Sequence, residues 1–410
     1  MKTPRPTANL APAEIFPPGE FIRDELDARG WEQRDLADIM GRPERTISEL
    51  VSGKRSVTPE TAQQLGEAFA TSAQFWLNLE MAYRLWKLPK PDDAVARRAR
   101  LYALAPIKEM TRRGWVGKTK RVDTLEEQVS RFFEVPSLDA VDAQMSASSP
   151  IGVAARKSSG DANFTPAERA WLCRARQLAS QRFVSTHLAS PHHASPHHGA
   201  AHEIAPFDPA RIKALLPRLS ALLDRAEGVR EAPKALAAFG VRLVVVEPIA
   251  GTKIDGACFW LSAKKPVIAL SLRFDRIDCF WFTLMHEIGH VAAGDGRDGT
   301  IPPDRELVGN EGAASASKPA FEKAADRFAA TSLVPEKPLA DFIKRTRPYF
   351  SKARIEEFAA AQGVHPGLVV GQLHHRGEVP YSNLRGYLVK VRAFALETAL
   401  ADGWGITPRP

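Results

Sequence analysis

Apolar residues recur at helical spacing from Glu20 to about Lys87, in short runs separated by Gly, Pro and Ser/Thr signals. The preceding residues, 1–20, are Pro/Ala-rich with few periodic apolar positions and predict an arm. Helical spacing continues in "DTLEEQVSRFF" and "TPAERAWLCRARQLASQRF", while Pro136 and "SASSPIGVAARKSSGDANF" break the pattern between them. From 207 onward the pattern changes. "DPARIKALLPRLSALLDRA" predicts an amphipathic helix with Asp208 as N-cap. "VRLVVVEP" (241–248) and "KPVIALSL" (265–272) are β-rich runs bounded by turn residues. "FWFTLMHEIGHVAAG" and "AFEKAADRFAATSLV" are again helical. "KARIEEFAAAQGVHPGLVVGQLHH" reads as a helix, a stop at Gly363 and a second helix from Pro366. The fold class expected is mainly α, with a smaller α+β domain after an N-terminal helical bundle. The expected divisions are 1–87, a helical connector over 88–206, the α+β domain over 207–395 and a tail over 396–410.

The first of these divisions has the cadence of a helix-turn-helix. In "WEQRDLADIMGRPERTISELVSGKRSVTPETAQQLGEAF", Leu36 and Ala37 face the core of one helix and Gly41 makes the turn. Pro43 suits the first turn of the next helix, where Ile47 and Leu50 point inward. Glu44, Arg45, Thr46, Ser48 and Glu49 are left to face a major groove, as on a recognition helix. Gln33, Lys54 and Arg55 would meet phosphates, which position the module without reading sequence. A plain helical bundle with incidental polar faces is the competing reading.

Charge adds one qualification. The 410-residue chain carries a formal +8, which permits a polyanionic partner without requiring one. Residues 1–87 hold 11 Lys/Arg against 13 Asp/Glu, a modest balance for a DNA reader, whereas 88–121 hold 10 against 3. That basic stretch is either a solvated helical face or a phosphate-contacting extension of the reader. No apolar run approaches the ~20 residues of a membrane helix, and the N-terminus lacks the features of a secretory signal. Three widely spaced cysteines, Cys173, Cys258 and Cys279, argue against a disulfide framework. A cytoplasmic protein with no membrane partner is expected. Six of the eleven histidines lie between His187 and His202, around the duplication "ASPHHASPHH". Pro191 and Pro196 deny that tract a regular scaffold, so a loop expanded by local repeat is preferred over a metal site.

The chemistry concentrates at "HEIGH", residues 286–290. On a helix His286 and His290 lie on one face, one turn apart, and can present two imidazoles to one ion. Glu287 is rotated by about 100°. It can therefore reach an attacking water rather than the metal, the division of labour of a zinc hydrolase. The competing reading is a helix with two unremarkable histidines; the apolar flanks "FWFTLM" and "IGHVAAG" argue against it. A third protein ligand is required. Glu322 is the best candidate, with Asp326 on the same helical face to orient a ligand imidazole. Glu306 and Glu311, in a Gly/Pro/Ser-rich stretch, compete less well.

These motifs carry two resemblances. The segment from about 235 to 390 resembles the ImmA/IrrE metallopeptidases. It shares "HEIGH", the "ExxADxFA" positions Glu322, Ala325, Asp326, Phe328 and Ala329, the "LVP" at 333–335, and stretches such as "IDGACFWL" and "PVIALSLRFDRIDCFWFTLMHE". The likeness implies His286, His290 and Glu322 as zinc ligands, Glu287 as general base, and a helix-turn-helix repressor as protein substrate. It also implies that "PVIALS" is the edge strand along which an extended substrate lies. His374, His375 and Tyr381 are oxyanion candidates, each better explained by a structural role.

The N-terminal part resembles the XRE/Cro class, and more closely HigA-type antitoxins, through "PPGEFIRDELDARGW", "GRPERTISELVSGKRSVTPETA" and "FWLNLEMAYRLW". Arg42 departs from the wider class at a turn position that is usually apolar, and matches the antitoxin-like subgroup. This likeness implies binding to double-stranded operator DNA as a homodimer, with a toxin as a further partner. Three readings follow. One is a regulator with a working zinc endopeptidase that cuts a repressor or antitoxin, itself included. Another is a transcription factor or antitoxin whose peptidase-like half senses a metal or ligand, or holds a dimer. The last is an antitoxin that neutralises an mRNA-cleaving toxin.

Overall fold

A computed structural model describes residues 15–89, 93–144, 164–180, 204–297, 304–305 and 319–405. The chain divides into two compact units, Met1–Asp93 and Ala94–Pro410. The His-rich tract around 187–202, Glu306 and Glu311 lie outside the described residues.

The first unit contains α1 (Pro18–Arg29), α2 (Gln33–Met40), α3 (Glu44–Val51), α4 (Pro59–Phe69) and α5 (Ala73–Lys87). Local chemistry sets each boundary. Asp35 accepts the Glu32 backbone N–H at 2.7 Å at the start of α2, and Gly41 ends that helix at φ 61°. Thr58 and Ser72 cap α4 and α5 through their side chains. Ile22, Leu36, Ile47, Leu65, Phe69 and Trp76 close the core. The paired α2 and α3 are the helix-turn-helix that the pattern predicts.

The second unit is built on one five-stranded sheet, flanked on one side by α6 (Ala94–Leu104), α7 (Ile107–Arg112), α8 (Val122–Phe132), α9 (Asp139–Gln144) and α10 (Pro166–Ser180). Then come α11 (Ile212–Ser220), α12 (Ala232–Ala237), β1 (Arg242–Val246), β2 (Ile254–Trp260) and β3 (Pro266–Leu270). After these follow α13 (Ile277–Ala293), β4 (Asp304–Arg305), α14 (Ala320–Leu333), α15 (Glu336–Thr346), α16 (Lys352–Gln362), α17 (Pro366–His375), α18 (Arg392–Thr398) and β5 (Leu400–Asp402). The strand order is β4-β2-β3-β1-β5. β1 runs parallel to β3 and β5, and β2 antiparallel to β3 and β4.

Alternation along the strands makes two cores. Leu243, Val245, Cys258, Ile268 and Leu270 pack toward α13 and the C-terminal helices. Val244, Val246, Ala257, Phe259, Val267 and Ala269 pack under Leu101, Val129, Trp171 and Leu178. Both faces are covered, which is why β1 and β3 read as unbroken apolar runs.

Three sequence expectations are corrected. The stretch 88–206 is not simply a connector, because its described helices from Ala94 to Ser180 form one layer of the second unit. Arg113 is buried there and donates to the carbonyls of Glu247 (2.7 Å) and Pro248 (2.9 Å). Trp171 Nε1 donates to the Val246 carbonyl at 3.1 Å. Secondly, the stretch 396–410 is not only a tail. It supplies β5, whose buried Asp402 accepts from Trp115 Nε1 at 2.8 Å and pairs with Arg174. Thirdly, β3, the "PVIALS" strand, is internal rather than an edge. β2 separates it from β4, and β1 lies on its other side.

The basic stretch 88–121 also finds partners. Arg97 pairs with Glu126 and Asp123, Arg100 with Asp139, and Arg112 and Arg113 with Glu109. These pairs hold Glu109 down to about 2, mainly through the Arg112 hydrogen bond. Four of the ten basic residues that suggested phosphate contacts, Arg97, Arg100, Arg112 and Arg113, are thus matched by carboxylates.

Candidate metal centre and DNA-reading face

α13 carries "HEIGH" against two supports. On one side Gly256 of β2 lets the strand approach the helix closely. A Cβ there would sit 2.3 Å from Glu287 Oε1 and 2.8 Å from Thr283 Cγ2. On the other, Gly289 lets α14 approach, since a Cβ there would meet Ala325 Cα at 3.3 Å. Two glycines thus bring a buried strand and a second helix onto one turn of α13. His286 and Glu287 are fully buried, and His290 nearly so.

The donor atoms converge. His286 Nε2 lies 3.0 Å from His290 Nε2. Glu322 Oε2, from α14, lies 3.3 Å from the first and 3.7 Å from the second. One ligand atom from each of these three residues falls within 4.8 Å of the others. The outer nitrogens are occupied by carboxylates: His286 Nδ1 is 3.0 Å from Asp326 Oδ1, and His290 Nδ1 is 2.9 Å from Asp295 Oδ2. With the imidazole protons drawn to the Nδ1 side, both Nε2 lone pairs and a carboxylate oxygen face one point. Three donor atoms this close can share one cation. Two nitrogens and one oxygen suit zinc.

His286, Glu287, His290, Glu322 and Asp326, which helical spacing groups in the sequence, lie on the adjoining helices α13 and α14. Helical spacing misses Asp295. That residue follows Gly294, which ends α13 in the left-handed conformation at φ 75°. The Asp295 N–H donates to the His290 carbonyl at 3.0 Å, and its own carbonyl accepts from Trp260 Nε1 at 2.7 Å. A carboxylate just past a helix-ending glycine, five residues after the second histidine, was the available signal. His374, by contrast, is fixed structurally. It is buried, lies against Tyr381 with ring centroids 4.8 Å apart, and its Nε2 is 2.9 Å from the Asn383 carbonyl. His375 is exposed and lies beside Phe282.

In the first unit, α3 presents Glu44, Arg45 and Ser48 to solvent, with Thr46 and Glu49 half-buried. Gln33 opens α2; Lys54 and Arg55 are exposed just after α3. Glu49 is shared by two arginines. It accepts from Arg45 Nε and Arg55 Nε, each at 3.0 Å. Those hydrogen bonds, Arg55 first, hold its carboxyl below the usual range. One arginine expected at bases and one expected at phosphates are therefore held on a common anchor.

Fold and clusters define a helix-turn-helix unit followed by a unit with a His/His/Glu cluster on paired helices. Residues 22–76 match the helix-turn-helix family, and residues 237–372 match the Peptidase_M78 family, described as an IrrE N-terminal-like domain. Residues in the first unit are 38% identical over 84 residues to an uncharacterised helix-turn-helix transcriptional regulator, YddM, of Escherichia coli K12. That match covers 20% of this chain and 88% of YddM. Antitoxin HigA-1 of Vibrio cholerae is 35% identical over 69 residues, which is 17% of this chain and 65% of that protein. A solved HigA-family addiction module antidote protein from Coxiella burnetii is 34% identical, covering 17% of this chain and 77% of that one, with a TM-score of 0.17. The chain belongs to the XRE-type helix-turn-helix regulators, with HigA-like relatives, and carries a Peptidase_M78 domain in its C-terminal part. Among the described residues no helix is long and apolar enough to cross a membrane.

Proposed function

We propose that this chain is a DNA-bound regulator whose second unit is a zinc endopeptidase, and that its substrate is a helix-turn-helix repressor or antitoxin, this chain's own first unit included. The observation that carries the proposal is the closure of His286, His290 and Glu322 on one point, with Glu287 buried on the same turn of α13 against Gly256. Zinc held by those three side chains supplies Lewis acidity and makes water a usable nucleophile near neutral pH. Glu287 takes the proton of the attacking water and returns one to the leaving amine. Asp295 fixes the His290 ring by accepting from its Nδ1, and Asp326, 3.0 Å from His286 Nδ1, orients the other ring by its charge. Gly256 brings β2 against Glu287, which holds the base from the side away from α14.

The first unit brings this activity to double-stranded operator DNA. Arg45, Thr46, Ser48 and Glu44 face the bases, while Gln33, Lys54 and Arg55 meet phosphates. A homodimer on paired half-sites suits α5, which leaves Met81, Leu85 and Trp86 exposed. The second reading is an antitoxin whose peptidase-like half only senses a metal or holds a dimer. The likeness to a protein named antitoxin HigA-1 favours it, and it brings a toxin partner.

Purified protein separates the two readings. The peptidase predicts one zinc per chain and zinc-dependent shortening of a helix-turn-helix substrate or of the chain itself, both readable by mass spectrometry. Glu287→Gln should keep the zinc and leave the substrate whole. A chain that purifies without stoichiometric zinc, and cuts nothing with zinc restored, belongs to the second reading.

A further inference from the structure

One turn before His286, α13 carries Phe282. Its ring lies 6.4 Å from the His286 ring and 6.3 Å from the His375 ring. Phe282 is also a wall of a cleft of about 470 Å³, solvent included, bounded by residues of α13, α14 and α17. Leu333, Leu368 and Cys279 supply its other apolar surfaces. The charges that reach it are matched to each other, because Arg276 Nε donates to Asp278 Oδ1 at 3.0 Å. Gln372 spends an amide proton on the Ala330 carbonyl at 3.4 Å. Burial keeps the Cys279 thiol well above its ordinary range, hence neutral. A charged side chain entering this cleft would lose water and gain no unmatched counter-charge. An apolar one would gain roughly 25 cal/mol per Å² of surface covered.

The cleft and the His/His/Glu cluster share one helix face, four residues apart. At 1.5 Å per residue the separation along α13 is about 6 Å, about the reach of two residues of an extended chain. We infer that this cleft is a specificity pocket, which takes a medium-sized apolar side chain (Leu, Met or Phe) within about two residues of the bond that is cut. The inference rests on the peptidase reading and adds a substrate class to it.

The test is a peptide library digested by the zinc-loaded full chain, with cut sites read by mass spectrometry. Leu368→Phe narrows the cleft and Phe282→Ala widens it; circular dichroism and zinc content check that each variant folds. The wild type should favour Leu, Met or Phe at one fixed subsite. Leu368→Phe should turn that preference toward Ala or Gly by roughly 10–200-fold in kcat/KM, and Phe282→Ala should turn it toward Trp. Should Leu368→Phe fail to fold, Phe282→Ala decides alone. Cleavage that depends on zinc and Glu287 but shows no apolar preference, or the same preference in every folded variant, overturns the pocket and leaves the peptidase standing. No cleavage of any peptide by the wild type overturns both.

Discussion

Gly256→Ala isolates the proposed base from the proposed ligands. The added Cβ would stand 2.3 Å from Glu287 Oε1, where ordinary van der Waals contact begins near 3.4 Å. The shortfall is about 1 Å. The neighbours on that side include Thr283 Cγ2 at 2.8 Å, on the same turn of α13, so the strand cannot easily yield. The Glu287 carboxylate must move instead, in a fully buried position. The three atoms nearest the new methyl belong to Glu287 and Thr283, and none to His286, His290 or Glu322. A displacement of about 1 Å of a reacting group costs roughly 10²-fold in rate, and full loss of a general base costs roughly 10²–10⁴-fold. We expect kcat of Gly256→Ala to fall at least about 10²-fold and toward the Glu287→Gln value, with zinc stoichiometry unchanged. The assay is single-turnover cleavage of a fixed substrate at saturating zinc, with metal content measured on the same sample. A kcat within about threefold of wild type would refute the argument that Glu287 acts from this position. Loss of zinc along with activity would refute the separation of base from ligands.

Asp295→Ala should weaken zinc binding by roughly 10–100-fold in chelator competition, because the His290 ring loses the carboxylate that orients it; unchanged affinity would remove Asp295 from the site. Arg55→Ala should weaken DNA binding about equally on specific and random duplexes and lower the salt slope by about 1, and a selective loss on one sequence would make Arg55 a base reader. Burial holds the His374 imidazole below its ordinary 6.5. The unfolded chain therefore binds the proton first, and stability should fall as pH drops below about 6.5. His374→Gln should flatten part of that fall in urea midpoints taken between pH 7.5 and 5.5, and an unchanged slope would contradict it.

Much of the candidate site was legible because its parts sit within single helices. His286, Glu287 and His290 need only helical spacing to fall into place, and Glu322 with Asp326 repeat the spacing on a second helix. Asp295 was missed because it acts from beyond the helix end, after a left-handed glycine that side-chain periodicity does not register. The sheet was harder to read. β2 is interrupted by Asp255 and Gly256, so its apolar run looked broken. Both residues have structural reasons: Arg273 Nε pairs with Asp255 at 2.7 Å, and Glu287 occupies the space beside Gly256. Strand order is a long-range property, so nothing local in "PVIALS" distinguished an internal strand from an edge. Nor did the helical spacing of α6 to α10 say which surface they cover; the sheet's second apolar face, alternating with the first along β1 and β3, was the overlooked demand for a covering layer. On α3, the outward positions were readable, but the capture of Arg45 and Arg55 by Glu49 depends on side-chain conformations that helical spacing does not fix.

The most direct test compares protein N-termini in cells that make the wild-type chain with those in cells that make Glu287→Gln. A zinc endopeptidase acting on regulators predicts a new internal N-terminus within a helix-turn-helix protein, or within this chain, in wild-type cells alone, with the intact protein accumulating in the variant. Identical termini in both, under conditions where the purified wild type carries zinc, would contradict it.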